Sequence, residues 1–164
     1  MPSSSGISTV EWLGLSLALF AIIAFLVLSR RVESRRIERM FPREKIVATS
    51  FGVSYFGLSS EPGGPARSSG VLVLLNDGIY YHARFGKREL YIPASSMRGI
   101  EIVLSHKGRP LYQKAISVRF VDAAGNEVRG VFRIPMPDRW LQTMRATILK
   151  RPIAVRDLTE EEPG

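Results

Sequence analysis

No cysteine occurs among the 164 residues, which removes disulfides, thiolate metal sites, iron–sulfur clusters and thiol catalysis together. Histidine is nearly as scarce. His82 and His106 are the only two, neither has a neighbouring Asp or Glu in the sequence, and no GxSxG, HExxH or paired-carboxylate spacing occurs. A tertiary assembly of His82, His106 and Glu101 is left open by the residue inventory. The expectation is a non-enzyme with no metal and no cofactor. Two further absences concern charge: residues 12–28, WLGLSLALFAIIAFLVL, contain none, and no Lys or Arg precedes Arg30.

The uncharged run organises the rest. At about 1.5 Å per helical residue it covers roughly 25 Å, just short of a hydrocarbon core of about 30 Å. It is apolar all round, where a core helix of a soluble protein carries a polar stripe. It also lacks the basic start and small-residue cleavage site of a secretory signal, ending instead in Ser29-Arg30-Arg31. The run predicts a transmembrane helix over 12–29 behind a short extracytoplasmic N-terminus, residues 1–11. Lys and Arg beside a span stay on the cytoplasmic side. Because the basic flank is Arg30, Arg31, Arg35, Arg36 and Arg39, the N-terminus is expected outside and the remainder inside a cell membrane. Those five arginines are candidate contacts for anionic headgroups, and Trp12 suits the outer interface.

The net charge of +8 is unevenly shared. Residues 1–40 hold five Arg against three Glu, residues 41–150 sixteen basic against eight acidic, and residues 151–164 two basic against four acidic. The excess therefore belongs to the segment after the anchor, and near an anionic leaflet each basic residue gains about 1 kcal/mol. Nucleic acid is the other polyanion to weigh. Arg119, Arg129 and Arg133, with Arg98, could form a stripe, but no aromatic residues are interleaved for base stacking, and nucleic-acid binding is not expected.

Along the chain, residues 30–43 read as a basic juxtamembrane helix ended by Pro42. From Lys45 the hydrophobic period changes to two. Strands are predicted over 46–51 and 55–58, broken by Gly52 and Gly57, and then a loop over 59–70. An apolar strand over 71–75 follows, with a turn at Asn76-Asp77-Gly78 that relies on positive φ. The strand over 79–85 places Ile79, Tyr81, Ala83 and Phe85 on one face, and a strand over 88–92 ends at Pro93. Residues 97–104 put Ile100, Ile102 and Leu104 on one face. A loop over 105–113 leads to alternating strands around Ile116, Val118 and Phe120 and around Val128, Phe132 and Ile134, joined by 122–126. Asp138 is the expected N-cap of a helix over 139–150 carrying Trp140, Leu141, Met144, Ile148 and Leu149. The acidic tail, 152–164, reads as disordered.

The implied fold is mainly β. About seven antiparallel strands form a curled sheet or partly open barrel over 44–151, capped by a C-terminal amphipathic helix whose plug is Trp140. The run 70–106, GVLVLLNDGIYYHARFGKRELYIPASSMRGIEIVLSH, with its IP-x-S-S-M-x-x-I-E element at 92–101, resembles the pleckstrin-homology superfamily, in particular bacterial PH-like and GRAM-like members. That resemblance covers about residues 44–150 and implies an interaction or assembly module. Phosphoinositide-reading members carry a Lys/Arg cluster about the first hairpin loop, whereas residues 51–70 here have only Arg67.

Two candidate sites follow. The first is a basic hairpin tip with an aromatic, Arg84, Phe85, Lys87 and Arg88, able to touch a headgroup while the ring enters the interface. The second is the stretch Ser105, His106, Lys107 and Arg109 about Gly108, whose donors could converge on an anion. The expected function is a single-pass, membrane-anchored scaffolding module engaging a membrane-associated protein. The alternative is a sensor of anionic lipid or a small anion through either site.

Overall fold

The computed structural model describes residues 9–64 and 67–149, and the chain divides into two units, 1–42 and 43–164. In the first, one helix, α1 (Thr9–Met40), runs through the apolar stretch and the arginine-rich flank without a break. Within it Trp12–Met40 is long and apolar enough to cross a membrane, and its apolar window has no share buried within the structure. Leu17, Phe20 and Phe25 are each about 70% exposed. Met40 is the last helical residue, two before Pro42, whose ring disfavours helical dihedrals in the residue preceding it.

The second unit is a seven-stranded, wholly antiparallel sheet, open at both ends: β1 (Ile46–Leu58), β2 (Ser68–Leu75), β3 (Gly78–Ala83), β4 (Glu89–Pro93), β5 (Met97–His106), β6 (Arg109–Val121) and β7 (Glu127–Arg133). Their order in the sheet is β4-β3-β2-β1-β7-β6-β5. Two meanders thus flank β1, which pairs with β2 over much of its length and with β7 through Ser54↔Arg133 and Tyr55↔Phe132. The expected break at Gly52 is instead a bulge in one continuous strand. Register with β2 slips between Phe51 and Val53, and Gly52 takes a φ of 71° that residues with a Cβ rarely adopt.

The inner face is closed by α2 (Pro137–Met144) and a wider helical turn, Arg145–Leu149. Met144 is fully buried and Trp140 nearly so, against a core that includes Val53, Leu72, Ile92, Ile100, Ile116, Val118 and Phe132. Asp138 is not the N-cap. Met136 holds that place in the left-handed region, Pro137 follows at the first turn, and Asp138 lies inside it, 3.4 Å from Lys114. A prolyl ring tolerates the helix start because its missing N–H would be unsatisfied there anyway. Residues 150–164, including the predicted tail, lie outside the described residues.

Two turns differ from expectation in mechanism, and a third is a hairpin connection as expected. Asn76 and Asp77 join β2 to β3 without positive φ. What demands glycine at position 78 is the neighbouring strand, since a Cβ would stand 2.5 Å from the Ile92 carbonyl oxygen. The stretch 105–113 is no loop. His106 pairs with Arg109 across a two-residue turn, Lys107-Gly108, in which both residues have positive φ, the type I′ geometry that matches strand twist. Asp122 closes the last hairpin by accepting the N–H groups of Ala124 and Asn126 at 2.9 Å each.

Gly70 supplies a sharp test of the sheet. A Cβ there would meet the His82 carbonyl oxygen at 2.1 Å and the Ala83 Cα at 2.9 Å, both backbone atoms. Gly70→Ala is expected to destabilise the β unit by about 3 kcal/mol. The same change at Gly14, where a Cβ meets nothing within 4 Å, should leave it unaffected. Denaturant unfolding of the full chain measures both.

Candidate functional site

The two predicted clusters are built differently. At the β3–β4 turn, Gly86 provides a φ of 91° and the Ala83 N–H donates to the Arg88 carbonyl at 2.9 Å. β3 stops at Ala83, so Phe85 does not continue the inward face. Its ring is 80% exposed, and Lys87 beside it is exposed as well. Arg88 turns back onto the fold: its Nη2 is 3.3 Å from Glu61 Oε1 and its guanidinium lies 5.6 Å over the Tyr55 ring. Arg84 also has a partner, and its backbone N–H donates to Ser69. An expected four-residue tip is thereby reduced to Phe85 and Lys87. On α1, Arg31, Arg35, Arg36 and Arg39 are exposed, and Arg30 lies in the same helix.

The second cluster gathers into a recess on the outer face of the sheet, away from α2. β5 and β6 extend as a ribbon to the Lys107-Gly108 turn, and β1 ends at Leu58, next to Ser59. Ser59 stitches this end to β7, its N–H donating to the Arg129 carbonyl (2.8 Å) and its Oγ accepting the Arg129 N–H (2.9 Å). Lys107 Nζ donates to the Glu61 carbonyl at 2.7 Å. Between these elements lies a cavity of about 410 Å³ lined by Ser59, His106, Lys107, Ser117, Arg129 and Val131, among others. Val131 of that lining belongs to a small apolar cluster with Phe56, Leu111 and Ala115.

Two deeply buried polar side chains in that lining each carry an atom without a partner among the described residues. His106 is 6% exposed with Nε2 open, and Ser117 is 1% exposed with its hydroxyl open. Buried polar atoms are nearly always satisfied, so this pair marks the recess. The His106 pKa is held below its ordinary value, first by burial and then by the Lys107 ammonium, while a hydrogen bond to the Gly57 backbone acts the other way. Of the predicted residues, His106, Lys107 and Ser105 line the recess, whereas Arg109 is not in its lining. Sequence reasoning missed Ser117 and Arg129, which come from strands more than ten residues downstream. The only signal was a serine within the buried run 115–118.

His82 has an acidic partner after all: Nδ1 lies 3.2 Å from Glu89 Oε1, directly across the β3–β4 ladder. Glu101 instead faces Arg119 at 3.9 Å, so His82, His106 and Glu101 belong to three separate groupings. Arg119 is also 3.6 Å from Glu127, and Arg133 sits 5.8 Å over the Phe56 ring, which leaves Arg129 alone of the proposed arginine stripe lining the recess.

The β5 margin is the other distinctive surface. No strand pairs with its outer side among the described residues. Arg145 donates through Nε and Nη2 to the Ile100 carbonyl at 3.1 and 2.7 Å, which shows that Ile100 turns its backbone outward. Alternate residues of a strand face the same side, so Ile102 presents its N–H and C=O there too. Beyond it the register slips between Val103 and Ser105. Leu104, expected on the inward face with Ile100, is 63% exposed, and Tyr112 opposite this bulge is 91% exposed at a φ of 59°.

No family model matches the chain and no curated protein matches it. Solved structures resemble it in fold. A chain of the 8S snRNP assembly intermediate aligns with a TM-score of 0.50 at 12% identity, covering 70% of this chain and 90% of its own. The C-terminal domain of an unknown protein from Leishmania infantum aligns with a TM-score of 0.47 at 13% identity, covering 65% and 85%. At such identities the first likeness concerns fold alone.

The buried imidazole predicts a pH dependence of stability. The unfolded chain takes up a proton on His106 near pH 6.5, and the folded chain does so only at lower pH. Its contribution is therefore fully present above about pH 6.5 and lost as pH falls through that value toward the folded pKa. With Trp12→Phe leaving Trp140 as the only tryptophan, urea midpoints between about pH 7.5 and about pH 5.5 should fall more steeply than in the same background carrying His106→Gln.

Proposed function

We propose that this protein is a single-pass membrane protein whose PH-like domain faces the cytoplasm and docks an extended segment of a membrane-associated protein along the β5 margin. The observation that carries this reading is the outward backbone of β5 at Ile102, with which no strand pairs among the described residues, flanked by exposed Leu104 and Tyr112. An extended peptide that adds to a sheet edge gains affinity from main-chain hydrogen bonds and specificity from alternate side chains. The PH-like assignment draws support from two meanders joined through β1 and β7 with a C-terminal helix over the inner face. Membrane crossing draws support from the exposed, uncharged helix and the arginines that follow it. Five residues, 41–45, separate α1 from β1. Anchoring raises the effective concentration of membrane-bound partners, so a modest edge contact suffices. No step of catalysis enters, and no cofactor is called for.

The absence of cysteine makes the orientation directly testable. Ser4→Cys and Ala123→Cys, the latter in the exposed β6–β7 turn, each create a unique thiol. A membrane-impermeant maleimide on intact cells should label the first and reach the second only after the cells are opened. The opposite pattern, or a mature chain lacking residues 1–30 by mass, overturns the anchored orientation.

A photo-crosslinker at Leu104 of the full-length chain in its own membranes tests the docking edge. It should give a discrete protein adduct that is lost with Ile102→Pro. That substitution removes an edge N–H outside the ladder and is tolerated on an edge strand. An adduct undiminished by Ile102→Pro, with the fold intact by circular dichroism, refutes the edge as the docking surface.

A further inference from the structure

The recess on the outer face of β5, β6 and β7 is separate from the β5 margin and independent of any docking there. Its chemistry is specific. Lys107 and Arg129 are the two cationic residues of its lining, no carboxylate belongs to that lining, and His106 and Ser117, each with a buried polar atom left open, line the same space. Ser59 Oγ already accepts the Arg129 N–H, which leaves its own hydrogen to donate. Cationic groups and hydroxyl donors about a space of this size suit a tetrahedral anion. We infer that this recess binds a tetrahedral oxyanion of the phosphomonoester kind, with Ser117 and Lys107 donating to its oxygens and His106 sharing a proton with it.

The proton follows from the ring's two nitrogens. One is engaged by the Gly57 backbone, whose effect favours the protonated ring, so the carbonyl accepts the imidazole N–H. In the neutral ring the open Nε2 is then a lone pair, which faces an anion favourably only when a proton lies between them. That proton arrives either on the ligand, as hydrogen phosphate, or from solvent onto the imidazole. No bond other than this hydrogen bond forms or breaks. The charged groups about the ring are Lys107 on the turn, Arg129 on β7 and Glu61 on the β1–β2 connection. Of these groups, the imidazole is the side chain whose charge changes near neutral pH. An anion in the recess offsets Lys107 and Arg129 and raises the affinity of the ring for its proton.

The test uses the full-length chain with its imidazoles ¹⁵N-labelled, in neutral detergent micelles. His106→Gln identifies by loss which of the two histidine signals belongs to the recess. Inorganic phosphate and, separately, sulfate are titrated in. Sulfate keeps its charge across this range, so any tightening on acidification comes from the protein. Expected are a saturable shift of the His106 Nε2 resonance and a raised apparent pKa. Sulfate binding should tighten by up to about tenfold per pH unit as pH falls toward the unliganded ring's own pKa, which lies below the ordinary histidine value. Ser117→Ala, which keeps the fold because it only removes an oxygen, should weaken binding by about tenfold.

A second arm places the chain in neutral nanodiscs with and without phosphatidic acid. A response to the free anions identifies a soluble ligand, and a response confined to phosphatidic acid identifies a lipid headgroup. Either supports the oxyanion site. No shift in both arms, a shift undiminished by Ser117→Ala, or binding with the His106 pKa unmoved overturns it.

Discussion

The β unit depends on one strand serving two masters. β1 pairs with β2 on one side and β7 on the other, and nothing else links the meander β2-β3-β4 to the meander β5-β6-β7 through the ladder among the described residues. A single flat strand could not do both while curling the sheet around a helix. The bulge at Gly52 and the second register slip between Tyr55 and Leu58 supply the bend, since an extra residue on one strand increases local twist and turns the chain. Only a residue without a Cβ takes the Gly52 conformation cheaply.

Side-chain packing locks the same junction. Tyr55 of β1 stacks on Phe132 of β7 with ring centroids 4.9 Å apart and tilts against Tyr81 of β3 at 5.0 Å, while Tyr81 and Phe132 meet at 5.8 Å. One cluster thus ties three strands from both meanders. Such pairs contribute about 0.5–1.5 kcal/mol each beyond burial, and losing one ring entirely costs about 3–5 kcal/mol. Burial raises the pKa of both tyrosines, with Glu61 adding to the effect on Tyr55 and Ser68 opposing it at Tyr81. The Tyr81 hydroxyl stays protonated and donates to the Ser68 carbonyl at 3.1 Å. Arg88 over Tyr55 and its ion pair with Glu61 then seal the rim, which is why that arginine is not available at the hairpin tip.

Much of this fold was legible because burial on one face of a strand writes a period of two. Alternation puts Ile79 and Tyr81, Ile116 and Val118, and Val128 and Phe132 on shared strand faces, and all are in the core. Alternation fails where a bulge resets it. Leu104 follows Ile100 and Ile102 at the right spacing, yet it lies where the register slips and faces solvent. The stretch 105–113 looked like a loop because glycine, proline and charge dominate it, but those residues make a tight turn within a twisted ribbon. Asp138 has the chemistry of an N-cap, and Met136-Pro137 took the start of the helix because proline at the first turn fixes where it begins. The candidate site was half legible. His106 and Lys107 lie together in sequence, whereas Ser117 and Arg129 reach the recess through strand pairing, which no local pattern records.

The departures from regularity cluster on the β5–β6 ribbon, and their distribution is an argument in itself. Lys107, Tyr112 and Met136 are the non-glycine residues with positive φ among those described, and two of the three lie on this ribbon, Tyr112 opposite the slip at Leu104 and Lys107 in the turn beyond it. Such conformations cost about 1–3 kcal/mol where unsupported and persist because their surroundings over-determine them. A ribbon serving only to complete the sheet would lose nothing by ending near Val103 and Ala115, the last pair before the slip. Its extension is what carries His106 and Lys107 over the outer face and turns Leu104 and Tyr112 to solvent. The strain thus accompanies the residues that form the recess and the exposed margin, while the core pairs from Met97 to Phe120 inward carry the stability.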